Sequence, residues 1–246
     1  KMAQTEVVLI TGANTGIGYQ IVRALASSGK AYDIIVAGRS LDKSKLHPLQ
    51  VDIESDESIA AALETVQSQF SCVDVLINNA GGSFDNLVAE GKMTQRENWL
   101  KSWNVNTVGT QIMTHTFVPL LLQTASPRLL FITSGVSTLE GTEHAESRLD
   151  QPAAKGWPKQ DMSPAAYRSS KTGMNMMMRE WYRLLQKDGV KVWCIAPGIG
   201  GVGPEVLKKM GAGDAEIAGP FILSVVQGAR DADVGKVIDK DGIQAW

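Results

Sequence analysis

The sequence predicts one doubly wound α/β domain, a parallel sheet of about seven strands with helices on both faces. Three observations carry this reading. Short runs that are apolar throughout alternate with longer helical stretches, the pattern of a parallel sheet covered on both sides. A glycine-rich turn stands where the first apolar run hands over to the first helical stretch. The length of 246 residues suits one large domain, and no linker, repeat or low-complexity segment divides it.

The elements follow in order. VVLITG (7–12) reads as a strand, and 15–29 as a helix with Ile17, Ile21 and Leu25 on its apolar face. Strands are expected at 33–39 and 47–53, a helix at 57–70, a strand at 73–81 and a long helix over 97–123. A strand at 128–135, a helix at 165–187 and a strand at 191–198 complete the alternation. VGKVIDKDGIQAW closes the chain as a short strand, an Asp-Gly turn and a tail whose Trp246 packs on the body or across a subunit interface.

Two connections look too short. SLDKSKL alone joins strands 33–39 and 47–53, yet a parallel crossover needs a dozen or more residues. PGIGGVGPE leaves little between the strand ending at Pro197 and a helix starting near Gly203. With Lys1 standing before Met2 like a tag remnant, this predicts two segments absent from the sequence, near residues 42–45 and 198–202.

Composition excludes several classes. The net charge is −2 and no basic block is present, which argues against nucleic acid. No apolar run approaches the length of a membrane span, and no signal peptide is visible. Cys72 and Cys194 sit in or beside apolar strand-like runs and read as reduced core thiols, so a cytoplasmic location is expected. His47, His115 and His144 lack metal-ligand spacing, so no metal site is expected.

Five stretches carry chemistry. Gly12, Gly16 and Gly18 form a strand–turn–helix cradle whose exposed N–H groups suit a phosphate. YRSSK sets Tyr167 and Lys171 one helical turn apart, where an ammonium can lower the phenol's pKa and the pair can move a proton. Ser134, in ITSG, and the segment NNAG (78–81) each end a strand, at the carboxyl edge where open α/β sheets bind ligands. Asn106 lies mid-helix, as a residue that holds a water or bends the helix would.

Taken together these stretches resemble the short-chain dehydrogenase/reductase family over essentially the full length, including its fungal and carbonyl-reductase-like members. TGANTGIG matches the family's glycine motif, NNAG its second motif, and Pro197-Gly198 its nicotinamide-side turn. Asn106, Ser134, Tyr167 and Lys171 match its catalytic tetrad in order. The resemblance implies a Rossmann-type fold and an oxidoreductase. Tyr167 would be the general acid or base. Lys171 would lower its pKa and bind the nicotinamide ribose. Ser134 would orient the carbonyl, and Asn106 would hold a water in a proton relay.

The remaining contacts are expectations of the same kind. Gly12, Asn14, Thr15, Gly16, Ile17 and Gly18 would line the pyrophosphate. Asp52 and Ile53 would meet the adenine side, with Asn79, Ala80 and Gly81 beside them. Tyr167, Lys171, Pro197 and Gly198 would hold the nicotinamide end. The second strand ends in Gly38-Arg39-Ser40 with no carboxylate, so Arg39 and Ser40 favour NADP over NAD.

One departure is the distance from Ser134 to Tyr167. An insertion of about 136–163 emerges there, and it either shapes the substrate pocket, with Leu139 and Trp157 as lining, or runs through solvent. Met174, Met176, Met177 and Met178 read as core or interface filler, and helices 97–123 and 165–187 as the seam of a homodimer or homotetramer. The expected activity is that of an NADPH-dependent ketoreductase acting on a small apolar or aromatic carbonyl compound. Two alternatives are a redox-neutral isomerase, dehydratase or cyclase on the same scaffold, and a non-catalytic dinucleotide-sensing protein.

Overall fold

The computed structural model describes residues 5–39, 46–144, 148–157, 159, 164–198 and 215–246. Seven strands form one parallel sheet: β1 (Glu6–Thr11), β2 (Tyr32–Gly38), β3 (His47–Gln50), β4 (Val75–Asn78), β5 (Arg128–Ile132), β6 (Lys191–Ile195) and β7 (Val237–Ile238). Their order across the sheet is β3-β2-β1-β4-β5-β6-β7. The order reverses between β1 and β4, and such a reversal opens a crevice at the carboxyl ends of the strands. Register places Ile10 beside both Val36 and Ile77, so β1 is an interior strand.

Strands β1, β4, β5 and β6 are buried on both faces, which explains why the sequence shows continuous apolar runs there rather than alternation, whereas edge strand β3 buries only Leu49. Along β1, Val7 and Leu9 face one apolar layer, and Val8 and Ile10 face the other. The first layer is closed by α2 (Asp56–Gln69), α5 (Thr110–Leu121) and α7 (Ala165–Leu185), through Ile59, Phe117 and Met174 among others. The second is closed by α1 (Gly16–Ala26) and, near the C-terminus, by Ala218–Val226. Ile21 and Leu25 of α1 are fully buried, worth about 1.5–3 kcal/mol each. Cys72 and Cys194 are free and buried, as expected of core thiols. Met174 and Met178 are core residues, whereas Met176 is exposed.

The expected elements form with two differences in detail. Strands stop short at the crevice: the run 73–81 is a strand only over Val75–Asn78. The backbone N–H groups of Asn79 and Ala80 leave the ladder and bond Thr11 Oγ1 at 3.0 Å each. The long helix is divided. It starts with a reciprocal Thr94–Glu97 capping box as α4 (Gln95–Trp103), passes through a π-helical turn over Asn104–Gly109, and continues as α5. A Cβ on Gly109 would lie 2.3 Å from the Ile53 carbonyl, so this turn is pressed against the end of the β3 segment.

Between β4 and α4 lies a short helix, α3 (Asp85–Ala89). Within the insertion, α6 (Leu139–Glu143) is capped by Thr138, and a 3₁₀ turn covers Arg148–Asp150. Three expectations fall outside the described residues: the helix near Gly203, the segments near 42–45 and 198–202 apart from Gly198 itself, and the role of Ser40. No helix among the described residues is long and apolar enough to cross a membrane. Nor do the described residues gather three metal-binding side chains.

Candidate active site

The glycine turn takes the shape its composition anticipates. Gly12 and Gly16 adopt positive φ, at 62° and 58°. Gly18 packs so tightly under the turn that a Cβ would lie 2.3 Å from the Gly12 carbonyl. Thr15 precedes α1 without offering a side-chain cap, and the first turn carries no acidic residue. By contrast α2 is capped by Ser55 and begins with Asp56 and Glu57. The N-terminal N–H groups and dipole of α1 are thus left for an anion, and a dinucleotide's pyrophosphate fits that requirement.

The second motif is interlocked with the first. Asn79 Nδ2 donates to the carbonyls of Thr11 and Gly12 at 2.8 and 3.0 Å. Thr11, which the sequence reading passed over, therefore anchors both motifs through its hydroxyl and its carbonyl. Around the turn, Asn14 stands against Gly38 at the end of β2, Thr15 is exposed, and Ile17 packs on the second core layer. Ala80 meets Gly12, where a Cβ would lie 2.9 Å from the Ala80 Cα. Arg39 is exposed just beyond β2. Asp52 accepts the Glu54 N–H at 3.1 Å, and Ile53 is buried. Pro197 is buried and Gly198 turns outward with φ 92°.

The tetrad residues gather at the carboxyl ends of β4 and β5. Asn106 is wholly buried in the π-helical turn. Its Nδ2 donates to the Gly82 carbonyl at 2.8 Å and to Ser170 Oγ at 2.9 Å, while its Oδ1 accepts the Gly82 N–H at 2.9 Å. The side chain is fully engaged, so its amide fixes the loop after β4 to α7. Gly81 lies between partners: a Cβ there would sit 2.6 Å from Asn106 Oδ1 and 3.1 Å from Lys171 Nζ.

Ser134 follows β5 and is half-buried. The loop it begins is strongly tied to α7: Thr133 Oγ1 donates to Asn175 Oδ1 at 2.6 Å, and Thr172 Oγ1 donates to the Ser137 carbonyl at 3.1 Å. Burial raises the pKa of the Tyr167 phenol above its ordinary value, and a hydrogen bond with Ser134 offsets part of that rise. Lys171 is 4% exposed, and its burial lowers its pKa to about 8. Its Nζ donates to the Ile132 carbonyl at 2.8 Å. The expected lowering of the phenol by Lys171 is not the dominant influence here, because the ammonium faces the end of β5. Cys194 lies beneath, its thiol pushed up by burial.

An arginine of α7 ties the insertion to the site. Arg168, next to Tyr167, donates through Nε to the Val136 carbonyl at 2.8 Å and through Nη2 to Asp150 at 2.6 Å. The Asp150 side chain is 5% exposed. Leu139 and Trp157, named as pocket lining, are 59% and 87% exposed. Sequence reasoning also missed Asp85 and Ser170. Each acts across more than sixty residues of chain, and no local pattern marks such contacts.

Comparison with known proteins places this geometry. A profile of the short chain dehydrogenase family matches residues 6–146. A short-chain dehydrogenase/reductase of a Phoma species, eupG, is 41% identical over 98% of this chain and 97% of its own. Another, tropE of Talaromyces stipitatus, is 39% identical over 98% and 97%. The eupG alignment runs over 272 positions, more than the 246 residues of this chain, so that relative has residues for which this chain has none. A crystal structure of NADPH-bound carbonyl reductase from chicken fatty liver superposes with a TM-score of 0.77, at 21% identity, covering 99% of this chain and all of that one. At that identity the likeness is one of fold. The motifs, their interlocked geometry and these relatives agree: the chain belongs to the short-chain dehydrogenase/reductase family of oxidoreductases.

Proposed function

We propose that the enzyme is an NADPH-dependent carbonyl reductase. It moves a hydride between a nicotinamide and the carbonyl or alcohol carbon of a small apolar or aromatic substrate. The observation that carries this reading is the meeting of Tyr167, Ser134, Asn106 and Lys171 at one end of the sheet, beside an uncapped helix N-terminus. When bound, the nicotinamide supplies or accepts the hydride.

The chain's own residues do the rest. A phenol held above its ordinary pKa keeps its proton at neutral pH, which suits a general acid in the reducing direction. Tyr167 gives that proton to the oxygen as negative charge develops on it, and takes it back in the reverse reaction. Ser134 donates to the same oxygen and fixes its position. Lys171 holds the ribose and, when protonated, favours the phenolate. Asn106, its amide engaged by Gly82 and Ser170, keeps the loop and helix in register rather than holding a relay water through that amide.

Arg39 supports NADP. It is exposed at the end of β2, forms no ion pair among the described residues, and has no acidic neighbour at that strand end. A guanidinium suits a 2′-phosphate. The cofactor contacts named from the sequence, Asp52, Ile53 and Gly198 included, belong to the same proposal. Exposed Leu100, Val108, Met176 and Leu184 on α4, the π turn and α7 support pairing of subunits through those helices. Two free buried thiols fit a cytoplasmic, reducing compartment.

The test is a panel of small ketones and aldehydes followed by loss of reduced-nicotinamide absorbance. NADPH-dependent consumption is expected, with NADH much poorer. Arg39→Asp should remove a charge-assisted contact worth about 1.5–3 kcal/mol, weakening NADPH binding about 10- to 150-fold. NADH binding should hardly change. Equal losses for both cofactors would refute the assignment of Arg39.

A further inference from the structure

We propose that Asp85 is a positioning residue for Tyr167, tying the first turn of the catalytic helix to the loop that follows β4. The inference rests on the reading of Tyr167 as the proton donor.

The start of α7 needs help from outside. Its N-cap residue is Pro164, which has neither a side-chain oxygen nor an N–H, and no side chain of its own caps it. A helix leaves its first N–H groups without partners, and a capping oxygen ordinarily accepts from the second or third residue. Those residues are Ala166 and Tyr167. Asp85 serves both: Oδ1 accepts the Ala166 N–H at 3.2 Å, and Oδ2 accepts the Tyr167 N–H at 3.3 Å. The cap thus comes from α3, some eighty residues earlier, and one of its bonds lands on the residue that carries the phenol.

The carboxylate is itself held. Asn98 Nδ2 donates to Oδ1 at 3.0 Å, Ser83 Oγ donates to Oδ2 at 3.2 Å, and Ser102 Oγ donates to Asn98 Oδ1 at 3.2 Å. Asp85, Asn98 and Ser102 are 7%, 2% and 0% exposed. Four donors therefore converge on one buried carboxylate at the N-terminal end of α7. Asp85 lies four residues after Gly81, whose missing Cβ leaves room for Asn106 Oδ1 and Lys171 Nζ. One loop therefore passes Lys171 at its start and holds the Tyr167 N–H at its end. The long buried face of α7 would keep the helix formed without Asp85. What would be lost is the placement of its first turn, and a misplacement of about 1 Å at a reacting group can cost about 100-fold in rate.

The experiment compares Asp85→Asn with the double variant Asp85→Asn/Pro164→Asp, in which α7 receives an N-cap oxygen of its own. Arg128→Gln, at the opposite edge of the sheet, serves as a control for stability loss alone. In Asp85→Asn, kcat should fall at least about 10-fold while KM and NADPH affinity stay within about twofold. The double variant should recover thermal stability without recovering kcat. Arg128→Gln should lose stability and keep its kcat. Full kcat in Asp85→Asn, recovery of kcat in the double variant, or an equal kcat loss in Arg128→Gln would overturn the proposal. Should Asp85→Asn not fold, the double variant decides alone. If the wild-type enzyme reduces no carbonyl compound, it is the functional reading that fails. Amide exchange at Ala166 and Tyr167 then decides: faster exchange in Asp85→Asn supports the tie, and unchanged exchange refutes it.

Discussion

Gly81 sits where two side chains of the candidate site meet. Asn106 Oδ1 and Lys171 Nζ converge on it, so even a methyl group must displace one of them. Gly81→Ala should cost about 1–3 kcal/mol of stability by overpacking. Because both displaced atoms belong to the tetrad, kcat should fall at least about 10-fold even where the variant is fully folded. Steady-state kinetics beside a thermal melt would check this, and an unchanged kcat would show that the contact is incidental. At this scale local spacing is legible in the sequence. Tyr167 and Lys171 are one helical turn apart on α7, whereas Ser134, expected at a strand end, stands two residues beyond β5. Local spacing is blind to Thr11, Asp85 and Ser170, whose hydroxyls and carboxylate act on residues more than sixty positions away.

The elements were legible by type and less so at their ends. Strands buried on both faces announce themselves as apolar runs, but their last residues turn out of the ladder to build the crevice, as Asn79 and Ala80 do. The π turn at Asn104–Gly109 escaped notice because its cause is tertiary: Gly109 is pressed onto Ile53 and Asn106 is drawn to Gly82 and Ser170. The insertion shows a similar limit. Its composition leaves pocket wall and solvated excursion equally open, and residues such as Trp157 are exposed, yet Asp150 is pinned to Arg168 beside Tyr167. Removing one partner of a buried pair costs about 3–5 kcal/mol, and the cost here falls on the insertion's attachment. Asp150→Asn should therefore raise the rate of trypsin cleavage at exposed Lys155 at least about 10-fold. NADPH binding should stay unchanged. Equal cleavage rates would show that the pair does not hold the insertion.

Across the whole molecule, two apolar layers fix seven parallel strands, and the reversal of strand order beside β1 puts both glycine-bearing motifs and the tetrad at one edge. This plan follows from hydrophobic pattern alone, which is why the fold could be anticipated from the sequence. On the proposed reading, cofactor and substrate choice rest on a few surface side chains, such as Arg39, and on loops whose course the pattern does not determine. The account stands on proton transfer by Tyr167 in a site that binds the cofactor without it. The most direct measurement is turnover and NADPH affinity of Tyr167→Phe, which keeps the ring and deletes the hydroxyl. The account predicts an intact fold, NADPH affinity within about twofold of wild type, and turnover reduced about 100- to 10,000-fold. A Tyr167→Phe enzyme that keeps more than about a tenth of its activity would contradict it.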